Sequence, residues 1–152
     1  MRTIDGLMKS GSYDEAMMRW LQSGADREEA IFDQVIVPYD PRFVAELPPL
    51  LLLSVGATVS ADLDGPHVAQ KLALTEMVIY SFHQMLHSLD DQVREVTPKI
   101  MSLLKTRIEH LFARIHRIAP NDPTLKNLTN MANVAGRITD IVRSGGAHHA
   151  PY

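Results

Sequence analysis

The apolar residues of this chain recur three and four positions apart, which is the spacing of one face of an α-helix. No segment alternates apolar and polar residues as a half-buried strand does, and no Asn-Gly hairpin turn occurs. These patterns predict an all-α fold of about seven helices, packed as antiparallel helical hairpins in an array like that of a helical-repeat protein. The last apolar stripe ends before "SGGAHHAPY", so we predict one domain over residues 1–143 and a flexible tail over residues 144–152.

Residues that can cap a helix, most of them followed by proline or by acidic residues, indicate where the helices begin. A serine followed three positions later by a glutamate has capping-box spacing, and acidic residues suit the positive end of a helix. A long central helix of about twenty-five residues is predicted after the sequence "DGP" at residues 64–66. The other predicted starts are Ser12, Asp26, Asp40, Thr97 and Asp122.

The stretch "ELPPLLLLSVGATVSADLDG", residues 46–65, is apolar enough to raise the question of a membrane segment. Its apolar run is shorter than the roughly 20 residues that span a bilayer, and Asp62 and Asp64 follow it. Serine, glycine and alanine are poor strand formers, which disfavours a buried strand. We therefore predict a core helix from about Pro49 to Ala61, in which Gly56 lets a neighbouring helix approach closely.

The chain contains no cysteine, which excludes a disulfide framework, a cysteine nucleophile and a thiolate metal site, and predicts an intracellular protein. The net charge of −3 does not indicate a nucleic-acid-binding protein. The charge is uneven, because residues 1–65 carry 5 Lys and Arg against 11 Asp and Glu, whereas residues 66–152 carry 10 against 7. Either the two halves attract each other, or the second half offers a basic face to an acidic partner.

Five basic side chains share an arc of about 80° on the sixth predicted helix, opposite its apolar stripe. They form either a solvated helix surface or a docking surface for an acidic peptide or for phosphate groups, which guanidinium groups match well. RNA recognition is a weaker form of the second interpretation, because no aromatic residues are interleaved with the cations. The five residues are Lys99, Arg107, His110, Arg114 and Arg117.

Two further groups of residues allow a functional interpretation. Met18 lies off the apolar stripe of its helix, so we predict that it is exposed and contributes to protein binding. Glu76, His83 and His87 lie within about 40° on the central helix, but a metal site there would need a further ligand that the sequence does not nominate. No phosphate-binding loop or nucleophile elbow occurs. We therefore predict no metal, no cofactor and no enzymatic activity, with a metal-dependent helical enzyme as the opposing hypothesis.

Four segments together carry a resemblance to a known family. They are "YDEAMMRWLQSGADREEAIFDQV", "PPLLLLSVGATVSADLDGPHVAQKLALTEMVI", "IEHLFARIHRI" and "NDPTLKNLTNMANVAGRI". In their order and length they resemble the C-terminal α-helical domain of the enhancer-of-mRNA-decapping scaffold family, called Hedls in animals and Varicose in plants, and this chain would be a fungal relative.

The resemblance implies a non-catalytic scaffold module of the cytoplasm and of processing bodies, acting in 5'-to-3' mRNA decay. It implies decapping factors as partners, in particular leucine-rich helical peptides in the disordered tail of the decapping enzyme's catalytic subunit. The family's β-propeller and coiled-coil regions have no counterpart here, so the chain would be the C-terminal part of a longer scaffold that could form homo-oligomers through those regions. An RNA-binding helical module is the alternative function, and no membrane association is expected.

Overall fold

The structure is a computed structural model, and it describes residues 2–148. This part of the chain forms α-helices joined by short 3₁₀ and π turns, and it contains no strand. The predicted all-α class, with about seven helices, is therefore confirmed. The α-helices of the described residues are α1 (Arg2–Lys9), α2 (Tyr13–Leu21), α3 (Ala25–Ile31), α4 (Pro49–Val59), α5 (Val68–Gln84), α6 (Asp91–Ile118) and α7 (Thr124–His148).

The chain divides into two compact units, Met1–Val78 and Ile79–Tyr152, and the boundary falls inside α5. In the first unit, α1 and α2 form a hairpin across residues 10–12, and α2 also packs against α4. A π turn over Phe32–Ile36 extends α3 and keeps three apolar side chains buried. The largest fully buried side chains of this unit are Phe32, Met8, Met17, Ile36, Leu52 and Leu53.

In the first unit, one predicted helix start is found without its capping hydrogen bond, and another differs from the prediction. Ser12 occupies the N-cap position of α2, but its side chain makes no capping hydrogen bond. Gly24, rather than Asp26, precedes α3, and its φ of 91° belongs to the region that glycine adopts without strain. Because Gly24 turns the chain there, α3 begins before Asp26. The Asp26 carboxylate lies in the first turn of α3, where the positive helix end still favours it.

Asp40 caps a helical turn as predicted. Its Oδ1 accepts a hydrogen bond of 2.9 Å from the backbone N–H of Arg42, and Pro41 opens the 3₁₀ turn Pro41–Glu46. The Arg42 side chain, and then its backbone N–H, hold the pKa of Asp40 below its usual value. Because the pKa is lowered in the fold, this stabilisation is present above the ordinary carboxyl pKa and is lost as the pH falls through the lowered one.

The Leu-rich stretch forms the predicted core helix. α4 covers Pro49–Val59, and a 3₁₀ turn continues it to Asp62. Gly56 belongs to the buried side of α4, together with Leu52, Leu53, Val55 and Val59. The helical interpretation of this stretch is therefore confirmed.

The second unit is dominated by a hairpin of α6 and α7, which make the most extensive contact among the described helix pairs. The two helices are antiparallel, because Lys105 lies against Gly136 while Phe112 lies beside Leu128 and Thr129. Their shared core includes Met101, Leu104, Ile108, Leu128, Met131 and Ile138, all of which are fully buried.

The predicted start of α6 is wrong. The helix begins at Asp91, and the N-cap is Asp90, whose Oδ1 accepts a hydrogen bond of 2.9 Å from the N–H of Val93. Thr97, predicted as the cap, is buried inside the helix and donates its hydroxyl to the carbonyl of Val93. Pro98 also lies inside the helix, although it has no N–H to donate. Burial of Val93 and Thr97 in line with Met101 accounts for the longer helix.

Two helix ends also differ from the sequence prediction, whereas the start of α7 agrees with it. Asp122 accepts a hydrogen bond of 2.8 Å from the N–H of Thr124, as predicted. The central helix α5 ends at Gln84, earlier than predicted, and a 3₁₀ turn over Leu86–Ser88 follows. α7 continues to His148 instead of ending at residue 143, since no proline interrupts the chain before Pro151. The end of the predicted tail, residues 149–152, lies outside the described residues.

Candidate functional site

The five predicted basic residues lie along one face of α6 in the second unit. Lys99, His110, Arg114 and Arg117 are exposed, and Arg107 is half-buried. Partial burial lowers the pKa of Arg107 from its usual value. From the first of these residues to the last, the row covers about 27 Å of the helix axis at 1.5 Å per residue. α6 therefore brings the predicted residues together as an extended row of positive groups.

Leu103 lies within this row, and sequence analysis missed it. Its side chain is 40% exposed, and it follows Lys99 and precedes Arg107 by one helical turn each. The signal was available, because at about 100° per residue Leu103 falls in the middle of the basic arc, whereas Leu104 falls within the apolar stripe and is fully buried. We call the following set the α6 outer face: Lys99, Leu103, Arg107, His110, Arg114 and Arg117.

A groove of about 350 Å³ runs between α6 and α7 on a different side of α6. Its apolar floor repeats after one helical turn on both helices, and its rim is polar. We call it the hairpin groove. The floor consists of Ile108, Phe112, Leu128 and Ala132, and the rim consists of Glu109, Thr129 and Asn133.

Basic side chains lie at both ends of the hairpin groove. Lys105 extends across Gly136, where a Cβ added to the glycine would lie 3.5 Å from Nζ. In the described part of the chain, no carboxylate forms an ion pair with Lys105. At the other end, the ring of His116 stacks on the Phe112 ring, with centroids 5.8 Å apart and planes inclined by 11°. The groove is therefore apolar in its middle and has a basic side chain at each end.

Met18 lies on α2 in the first unit and is 50% exposed, as the sequence predicts. Its neighbours on the apolar stripe, Met17 and Trp20, are buried. The indole N–H of Trp20 donates a hydrogen bond of 2.9 Å to the carbonyl of Glu28. This part of α2 is therefore core, and a binding role for Met18 stays a prediction.

A partly buried polar cluster adjoins Phe32 in the first unit, and sequence analysis did not identify it. Lys71 Nζ lies 3.0 and 3.1 Å from the two carboxylate oxygens of Glu29, and 5.7 Å from the centroid of the Phe32 ring. His67 Nε2 lies 2.7 Å from Asp33 Oδ1, and its ring meets the edge of Phe32. The side chain of Lys71 is only 5% exposed, whereas that of Glu29 is 59% exposed. The available signal was a lysine directly before the apolar residues 72–74 of α5.

The role that this geometry supports is structural, since the cluster ties α5 to α3. We expect Glu29→Ala to lower the free energy of unfolding by about 1–3 kcal/mol, because it leaves the Lys71 ammonium buried without its partner. The effect is smaller than for a fully buried pair, because Glu29 is itself exposed. Glu28→Ala is the matched control and is expected to cost less than about 0.5 kcal/mol. Urea unfolding measures both, and equal losses would contradict the role of the ion pair.

The proposed metal ligands do not assemble. α5 ends at Gln84, so His87 leaves the helical register that would have placed it with Glu76 and His83. Among residues 2–148, no three His, Asp or Glu side chains are grouped so that they could hold a metal ion.

None of the helices in the described part of the chain has the length and apolar character needed to cross a membrane. No family model, curated protein or solved structure matches this chain.

Proposed function

We propose that this chain is a non-catalytic protein-interaction module of an mRNA-decapping scaffold. It binds peptides of the decapping machinery in the cytoplasm, in particular the leucine-rich helical segments of the decapping enzyme's tail, and so supports the assembly of processing bodies. The binding surface that we propose is the α6 outer face. The class of partner comes from the resemblance of the four segments, and the choice of surface comes from the geometry of α6.

The observation that carries the proposal is the position of Leu103 among cations. An exposed leucine next to Lys99 and Arg107 combines an apolar contact with groups that attract carboxylates. Charged groups around an apolar centre accelerate association and select partners of opposite charge. An amphipathic peptide with acidic residues beside its leucines has the complementary pattern. RNA fits this face less well, because the row has no Phe, Tyr or Trp on which bases could stack.

The proposal is tested by reversing two charges on the α6 outer face. We expect Arg107→Glu with Arg114→Glu to weaken capture of the decapping enzyme by about tenfold or more, because attraction becomes repulsion. The helical circular dichroism spectrum should not change, since Arg114 is exposed and Arg107 is only half-buried. Capture from cell extract with added nuclease separates protein binding from bridging by RNA.

A matched control carries the same change of charge in the first unit. Arg2 and Arg27 are both exposed and lie on α1 and α3. Arg2→Glu with Arg27→Glu should capture the decapping enzyme as the unchanged protein does. If both double variants lose binding equally, only net charge matters, and the α6 outer face is not the binding surface. If nuclease removes the captured enzyme, the alternative of an RNA-binding module gains support.

A further inference from the structure

The hairpin groove has the shape of a site for two neighbouring apolar side chains. Ile108 and Phe112 on α6 are one turn apart, as are Leu128 and Ala132 on α7, so the floor repeats after about 6 Å along the hairpin. Two side chains one turn apart on a bound helix have the same spacing. The volume of about 350 Å³ lies in the range of pockets that hold small ligands, roughly 300–1,000 Å³.

The charges around the groove determine where a bound helix can carry acidic residues. Glu109 lies on the rim beside the middle of the floor, and it would repel an acidic residue placed there. Lys105 lies at the Gly136 end and has no carboxylate partner in the described residues, so an acidic residue of the ligand is favoured at that end.

We infer that the hairpin groove binds a short amphipathic helix that inserts two aliphatic side chains one turn apart between α6 and α7, with its acidic flank against Lys105. This inference rests on the proposed function, since it names where the apolar side chains of the bound peptide are held. The α6 outer face lies on the opposite side of α6, so it would contact a different part of the partner, while the groove supplies the preference for leucine.

The test uses synthetic fluorescent helices in place of the natural partner. One carries leucine pairs one turn apart and glutamates, and a second has alanine in place of each leucine. Asn133→Trp places a bulky ring on the exposed rim of the groove. We expect it to weaken binding of the leucine helix by about tenfold or more and to leave the alanine helix unaffected, because it closes the apolar floor.

Asn130→Trp is the matched control. Asn130 is exposed on the same helix, three positions before Asn133, and it does not line the groove. The Asn130→Trp variant should bind both synthetic helices with the affinity of the unchanged protein. If Asn130→Trp and Asn133→Trp bind the leucine helix alike, or if the unchanged protein does not prefer leucine over alanine, the inference is overturned. Thermal unfolding of both variants confirms that the hairpin is intact.

A second measurement tests the predicted polarity. Lys105→Glu should weaken binding of the glutamate-flanked helix several-fold more than binding of a glutamine-flanked version, and equal weakening would contradict contact with Lys105. The two proposals fail in distinguishable ways. If Arg107→Glu with Arg114→Glu loses binding of the leucine helix while Asn133→Trp keeps it, the groove is rejected as the binding site and the α6 outer face is retained. The reverse result supports the groove and rejects the α6 outer face.

Discussion

Replacing Phe32 by alanine is expected to remove about 3–5 kcal/mol from the free energy of unfolding, the largest effect of any substitution considered for this protein. The Phe32 ring is 2% exposed and lies 6.2 Å from the Trp20 ring, while Lys71 Nζ lies over its face. Truncation therefore leaves a cavity in the core of the first unit and removes a cation–π partner from a buried ammonium. Chemical unfolding followed by tryptophan fluorescence reports on this region directly, because Trp20 is the single tryptophan of the chain.

Phe32→Leu separates the contribution of core packing from that of the cation–π contact. Leucine keeps most of the apolar volume but has no aromatic face, so we expect a loss of about 1.5 kcal/mol. If alanine and leucine at this position cost the same, packing does not dominate and the role of Phe32 in the core is misassigned. A loss below about 1.5 kcal/mol for Phe32→Ala would lead to the same conclusion.

The second large effect concerns two adjacent leucines in α6. Leu104 is fully buried against α7, so Leu104→Ala is expected to cost about 2–5 kcal/mol. Leu103 is 40% exposed, so Leu103→Ala is expected to cost less than about 1 kcal/mol while it weakens capture of the decapping enzyme. We therefore expect one substitution to change stability and its neighbour to change binding. Urea unfolding combined with pull-down measures both, and a stability loss of similar size at both positions would contradict the orientation of α6.

These core variants also bear on the single domain that the sequence predicts over residues 1–143. Phe32 and Leu104 lie in different compact units. A single cooperative domain predicts that each variant lowers one common unfolding transition. Two transitions, each shifted by only one of the variants, would show that the units unfold separately.

The helical class could be predicted from the sequence because apolar stripes at helical spacing must be buried, and no competing period is present. The local sequence predicts a helix start best where a side chain caps the helix. Asp40 and Asp122 cap their helices through their own side chains, but Thr97 does not cap α6, because burial of Val93 and Met101 extends the helix past Pro98. Burial depends on contacts with neighbouring helices, and the local sequence at residues 97–98 carries no information about those contacts.

The same distinction between local sequence and helix packing applies to the candidate surfaces. The basic row on α6 was predictable because all its members lie on one helix, whose angular geometry is known in advance. The hairpin groove was not predictable, because its floor combines residues of α6 and α7 whose register depends on how the two helices pack. The contact between Lys71 and Glu29 joins residues far apart in the sequence, and neither residue type indicates its partner.

The central claim, that the α6 outer face binds the decapping enzyme, is tested most directly by calorimetric titration with a leucine-rich peptide from the enzyme's tail. The unchanged protein and Arg2→Glu with Arg27→Glu should bind this peptide with equal affinity. Arg107→Glu with Arg114→Glu should bind it about tenfold or more weakly, and the difference should shrink as salt is added. Equal affinities for all three proteins, or no binding to the unchanged protein, would contradict the claim.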